Sequence, residues 1–193
     1  NPDDVVRAAV AHITRGLRHD FLAISVADPE RRHLEVRQVV GRPLARLKVG
    51  EVMAMSEVMT DPLADQPIKI WTMEECESLK EHSRTAKFVV DSDLGTIILQ
   101  NLRGNGEFVA QICVGFKDGI DVSADDAEFV SRLGQHLLSA LENANNLDAL
   151  RQLQSQLVGH NEQLTEMQEG VERAENLLRV SNQRLIEQNE SKT

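Results

Sequence analysis

Apolar positions along the 193-residue chain pass through three regimes. Val6, Ala9, Val10, Ile13 and Leu17 recur at the three-and-four spacing of one helical face, which predicts an amphipathic helix from Asp3 to about Arg18. Asp3 and Asp4 suit its positive N-terminal end. Phe21 to Val26 and Leu34 to Val40 then predict two strands around a turn at Asp28-Pro29-Glu30-Arg31-Arg32. On the second strand Leu34, Val36 and Val40 are expected on one face, and Glu35 and Arg37 on the other. From Gly41 to about Arg84 no period holds. This stretch contains Met53, Met55, Met59 and Met73, with Pro43, Pro62, Pro67 and the single Trp, and a loosely patterned segment of that length is often functional.

Order returns at Ala86-Lys87-Phe88-Val89-Val90, followed by Asp91-Ser92-Asp93 and a strand from Thr96 to Leu102. Asn105-Gly106 is a type I′ hairpin signal leading into Phe108 to Phe116. There Phe108, Ala110, Ile112, Val114 and Phe116 are expected on one face, with Val109, Gln111 and Cys113 on the other. Ser123 with Asp126 reads as a variant capping box, and Phe129, Leu133, Leu137, Ala140, Leu141 and Ala144 form a second helical stripe. This order predicts an α+β domain, an antiparallel sheet covered on one face by the first and last helices.

From about Asp148 the chain has no aromatic and no Pro. Leu150, Leu157, Leu164, Val171, Leu178 and Leu185 repeat every seven residues, with Leu153, His160, Met167, Ala174, Ser181 and Gln188 three positions later. A sustained heptad repeat predicts a left-handed coiled coil. A lone helix this polar buries nothing, so a parallel homodimer is expected, with residues 1–146 as the domain and 147–193 as the dimeric helix. His160, Ser181 and Gln188 weaken the seam, as suits a helix that shifts.

Charge and cysteine usage narrow the classes. With 21 basic against 31 acidic side chains and a net charge of −10, the chain lacks the excess of cations a nucleic-acid binder needs. No stretch approaches the ~20 apolar residues of a membrane span. Two cysteines without a CxxC point to the reducing cytoplasm. The chain opens on Asn1 without a signal-peptide pattern and reads as a piece of a longer protein. Among catalytic motifs there is no GKS/T loop, HExxH, GxSxG or complete GxGxxG, and Asp91 and Asp93 sit where a turn calls for Asp. A regulatory piece without catalytic residues and without a metal site is expected.

Residues 3 to about 146 resemble a GAF domain. The likeness rests on the N-terminal helix, the Phe21 to Val40 hairpin, the turn phrase from Leu102 to Phe108, and the closing stretch from Ser123-Ala124-Asp125-Asp126 to Leu141-Glu142-Asn143-Ala144. The resemblance implies a GAF-like antiparallel sheet with flanking helices and a sensory pocket on one sheet face, roofed by the variable middle. Candidate ligand-binding residues are Trp71, Cys76, His82, Arg84 and Cys113, with the ligand between the sheet and the segment from Met53 to Arg84. Trp71 offers an aromatic surface and Arg84 or His82 a partner for an anionic group; alternatively Trp71 plugs the pocket, leaving a ligand-free dimerisation module. Bilin-binding GAF domains carry a Cys-His pair, whereas Cys76 precedes Glu77 and Cys113 precedes Val114, which argues against covalent bilin. The Asn-Lys pair of cyclic-nucleotide GAF domains is missing as well, and no cofactor is assigned.

The final stretch, Asn182 to Thr193, resembles the linker that enters the phosphoacceptor helix of sensor histidine kinases. That likeness implies a cytoplasmic sensory module whose partners are its own second copy and a downstream kinase domain of the same chain. A sigma-54-dependent activator, a diguanylate cyclase or a phosphatase are the alternative outputs.

Overall fold

In a computed structural model the described residues are 1–41 and 47–190, apart from the side chains of 183 and 185–190. Leu185 and Gln188 of the expected seam, Pro43 and most of the kinase-like terminal phrase therefore lie outside what is described. The chain divides into two compact units, Asn1–Asn145 and a second beginning at Asn146.

The first unit is built on a six-stranded antiparallel sheet in the order β3-β2-β1-β6-β5-β4. The strands are β1 (Phe21–Ala27), β2 (His33–Gly41), β3 (Val52–Ala54), β4 (Ile68–Thr72), β5 (Thr96–Gly104) and β6 (Glu107–Phe116). Helix α1 (Pro2–Gly16) starts on Asn1, whose side chain accepts from the Asp3 N–H at 3.0 Å. Helix α5 (Ala124–Glu190) starts on the expected box: the Ser123 N–H donates to Asp126 Oδ2 at 2.8 Å, and the Asp126 N–H to Ser123 Oγ at 3.2 Å. Val6, Ala9 and Ile13 of α1 and Val130, Leu137 and Leu141 of α5 pack on Leu22, Ile24, Ile98, Ile112 and Val114, so these helices cover one sheet face as expected.

The middle segment, aperiodic in sequence, is a chain of short elements: β3, α2 (Met55–Thr60), a 3-10 turn at Pro62–Ala64, β4, α3 (Met73–Leu79) and α4 (Arg84–Asp91). It covers the opposite face, where Leu63, Trp71, Cys76, Ala86 and Val89 join Phe21, Ala23, Ile97, Leu99 and Cys113 in a second core. The 3-10 turn, α3 and α4 are each started by a side-chain cap, whereas α2 begins at Ala54 without one. Thr72 and Glu75 form a capping box at α3, Ser83 Oγ accepts from the Ala86 N–H at 2.8 Å at α4, and Asp61 accepts from the Leu63 N–H at 2.9 Å in the 3-10 turn.

Two bulges correct the expected facing of strand residues. Between Ile24/Ser25 and Gln38/Val36 the register slips by one, leaving Arg37 unpaired, so Val39 and Val40 exchange faces and Val40 packs on the α1–α5 side. Leu34 consequently faces away from Val40, in a third cluster with Val58 and Phe108. On β6 the slip falls at Val109, which moves to the α1–α5 side, while Phe108 turns to the other face. An extra residue shifts the period-2 alternation by one, and pairing with a neighbouring strand rather than the strand's own pattern sets where that happens.

The hairpin turn has the expected geometry, with φ of 51° at Asn105 and 82° at Gly106. Nothing lies within 4 Å of a Cβ added at Gly106, so its substitution tests backbone conformation alone. Gly106→Ala is expected to lower stability by about 1 kcal/mol, read as a fall in the urea midpoint at unchanged m-value.

Candidate functional site

The face opposite α1 and α5 holds a cavity of about 310 Å³, at the small end of ligand pockets. Its floor is Phe21, Ala23 and Ser25 of β1 with Gln111 and Cys113 of β6. Alternation along the two strands sends these five side chains to one side. The roof is α4, through Arg84, Thr85, Lys87, Phe88 and Asp91, and the flank is Leu47, Glu51 and Met53. Ala23 and Ser25 are small, and Phe88 stacks at a tilt on Phe21, ring centroids 5.3 Å apart, so the helix rests on one end of the floor.

The position of α4 depends on Asp61, which is only 8% exposed. Ser83 Oγ donates to its Oδ1 at 2.7 Å and the Thr85 N–H to its Oδ2 at 3.2 Å. A carboxylate from a distant turn thus meets the positive N-terminal end of the roof helix. At the edge of the cavity Arg84 donates to Glu51 at 2.8 Å and to Glu57 at 3.4 Å, so its charge is already matched. Among the described lining residues two cations, Arg84 and Lys87, balance two anions, Glu51 and Asp91.

The five candidate residues separate. Arg84 and Cys113 line the cavity, as does Met53 from the expected roof. Trp71 and Cys76 lie in the packed core beside it, Trp71 opposite Ile97 in the sheet register and 6% exposed. His82 is exposed, between α3 and α4. Lys69 Nζ stands 3.7 Å from the Trp71 ring centroid and 2.9 Å from Glu75, and its hydrogen bond to that carboxylate holds the Glu75 pKa below the usual range. The roof is α4 and the Leu47–Met53 flank, so Ser25, Phe88 and Gln111 enter the site although no motif marks them. The signals that could have located the roof are Thr72-x-x-Glu75 and Ser83, which delimit α3 and α4. Among the described residues no group of three or more His, Cys, Asp or Glu could hold a metal ion, and no helix is long and apolar enough to cross a membrane.

Burial raises both thiol pKa values, Cys76 to about 11 and Cys113 to about 12, so both are neutral at physiological pH. The folded chain holds these protons above the ordinary value of 9.0, so stability is full below that pH and falls as pH rises through about 11 and about 12. With no Tyr in the chain, the urea midpoint is expected to drop between pH 8 and 10.5, and a Cys76→Ala/Cys113→Ala variant to flatten that slope.

No family model matches the sequence, and no curated protein matches it. Solved structures do. The chain is similar to the GAF domain of a two-component sensor histidine kinase from Bacillus halodurans, at 18% identity and a TM-score of 0.60, over 76% of this chain and 97% of that one. It is similar also to a GAF domain/HD domain protein from Geobacter sulfurreducens, at 12% identity and a TM-score of 0.60, over 75% of this chain and 95% of that one. A domain of a two-component sensor histidine kinase protein from Sinorhizobium meliloti 1021, so described only tentatively, matches at 14% identity and a TM-score of 0.57, over 78% of this chain and 96% of that one. Such likeness establishes the fold: this is the GAF fold expected from the sequence.

Proposed function

We propose that the chain is the sensory and dimerising region of a larger signalling protein. In this reading the cavity beneath α4 takes a small molecule, α5 carries the resulting change, and a second copy of the chain supplies the other half of the coiled coil. The observation that carries the sensory reading is the cavity itself: a roofed space on a rigid sheet, lined by Phe21, Ala23, Leu47, Met53 and Phe88, with Ser25 and Gln111 as polar contacts. Matched charges at its edge favour an uncharged, largely apolar ligand over the anion that Arg84 or His82 would attract. The output is proposed as a protein-histidine kinase, supported by the phrase from Asn182 onward and by the kinases among the structural neighbours.

Trp71 reports on the site, since its core includes Phe21 and Cys113 of the cavity floor. A metabolite library is expected to contain a compound that changes the single-Trp emission saturably, and Ala23→Phe, which fills the floor, to abolish that change. A library without effect on the emission would leave a module that only dimerises.

The dimer rests on the second unit. Leu150, Leu153, Leu157, Leu164, Met167, Val171 and Leu178 are between 55 and 68% exposed along one heptad stripe. Covering each contributes roughly 1 to 2 kcal/mol, more than a surface ion pair supplies. The positions flanking the stripe are mostly amides, Gln154, Gln156, Asn161, Gln163, Gln168 and Asn182, with charges such as Arg151, Glu162, Glu166 and Arg173 set further round the helix. Flanks whose only charges are Glu175 and Arg184 offer an acidic or basic helix little to recognise, and suit a second copy. Leu157→Asp with Leu164→Asp is expected to give a monomer by sedimentation equilibrium. The unaltered dimer should change its Kd by less than roughly threefold between low and high salt, because no ionic pair lies beside the seam.

A further inference from the structure

Strand β5 runs Thr-Ile-Ile-Leu-Gln-Asn-Leu-Arg-Gly, and two amides interrupt its buried apolar run. Gln100 is 2% and Asn101 3% exposed. Apolar side chains would be cheaper to bury in both places. We propose that this adjacent pair couples the cavity on one face of the sheet to α5 on the other. The inference rests on the reading of the cavity as the sensory site.

On the cavity face the orientation of every amide is determined. Asn101 Nδ2 donates to the carbonyls of Leu63 and Gln66, at 3.0 and 2.8 Å, so its Oδ1 is left as an acceptor. Gln111 Nε2 donates to that Oδ1 at 2.9 Å. The Gln111 carbonyl oxygen is therefore the end not held by Asn101, on a side chain that lines the cavity. A ligand that donates to this oxygen, or displaces the amide, alters the one hydrogen bond joining Gln111 to Asn101.

On the opposite face Gln100 meets α5. Its Nε2 donates to the Ser131 carbonyl at 3.2 Å, while its Oε1 is buried without a partner. A Cβ at position 134 would lie 2.1 Å from that Oε1, so only glycine lets the amide come this close to the helix. An unpaired buried carbonyl is a standing cost. Ser131 also carries a hydroxyl, which makes no hydrogen bond among the described residues. A displacement of α5 that exchanges its carbonyl for its hydroxyl gives Oε1 a donor. The contact thus has two arrangements, the kind of element whose balance a ligand can shift. Because neighbouring residues of a strand point to opposite faces, a movement of the backbone at Asn101 is shared with Gln100.

Amide hydrogen exchange in the full chain tests this without any ligand, so failure of the link is distinct from failure of the sensory reading. Gln111→Leu removes the donor to Asn101. The amide of Gln135, which shares the Ser131 carbonyl with Gln100 through the helical i to i−4 bond, is the reporter. Amides of Ala9 to Ile13 in α1, packed on the same sheet face, register general loosening. The expected result is a speeding of exchange at Leu133 to Gln135, relative to α1, of at least roughly threefold, and its disappearance when Gln100→Leu is also present. Equal speeding in both backgrounds, or none in either, overturns the proposal. Should Gln111→Leu fail to fold, Gly134→Ala drives the link from the other end: it is expected to shift the Gln111 side-chain amide resonances in NMR spectra, and unchanged resonances overturn the proposal equally.

Discussion

The central constraint on this molecule is a sheet whose middle strands are buried on both faces. Along β1, β6 and β5 nearly every residue is inaccessible, so the alternating side chains need apolar cover above and below. A half-wet antiparallel sheet, polar on alternate residues, would need only one layer of helix. Here α1 and α5 supply one cover with two long amphipathic surfaces, and the short elements between β2 and β5 supply the other. Removing either would expose a face of Val, Ile, Leu and Phe side chains, which among the described residues are gathered into three apolar clusters.

The two covers differ in how they are made, and the site follows from the difference. Long helices lay a continuous apolar stripe along their face. The other cover is assembled from pieces of six to eight residues held together by caps and by one buried carboxylate, Asp61, that ties the 3-10 turn to the start of α4. Short pieces cannot match a sheet surface everywhere. Where α4 spans the small side chains Ala23 and Ser25, a space stays open and becomes the cavity.

Polar side chains inside the sheet give the domain a specificity that apolar packing lacks. Asn101 satisfies two carbonyls of the segment leading into β4 and accepts from Gln111, so the register of cover on sheet is set by directional bonds. Gln100 does the same toward α5 with one bond made and one lacking. The geometry places an imperfect contact under α5, while on the cavity face Asn101 has both its amide nitrogen and its carbonyl oxygen bonded.

What the sequence determined by itself is what local chemistry can decide. The helical stripes of α1 and α5, the Ser123/Asp126 cap and the Asn105-Gly106 turn each depend on residues a few positions apart, and their physics acts before any tertiary contact forms. The heptad stripe from Leu150 is of the same kind. Tertiary structure alone decided the rest. The bulges at Arg37 and Val109 come from pairing with a neighbouring strand, and they reverse which face Val40 and Phe108 occupy. Trp71 and Cys76 joined the core and left the cavity to Phe88, Ser25 and Gln111, because the roof of a site is fixed by which short helix settles over which strand. No periodicity encodes that choice: it depends on contacts between side chains far apart in the chain, such as Phe21 and Phe88, that meet only when the sheet has closed.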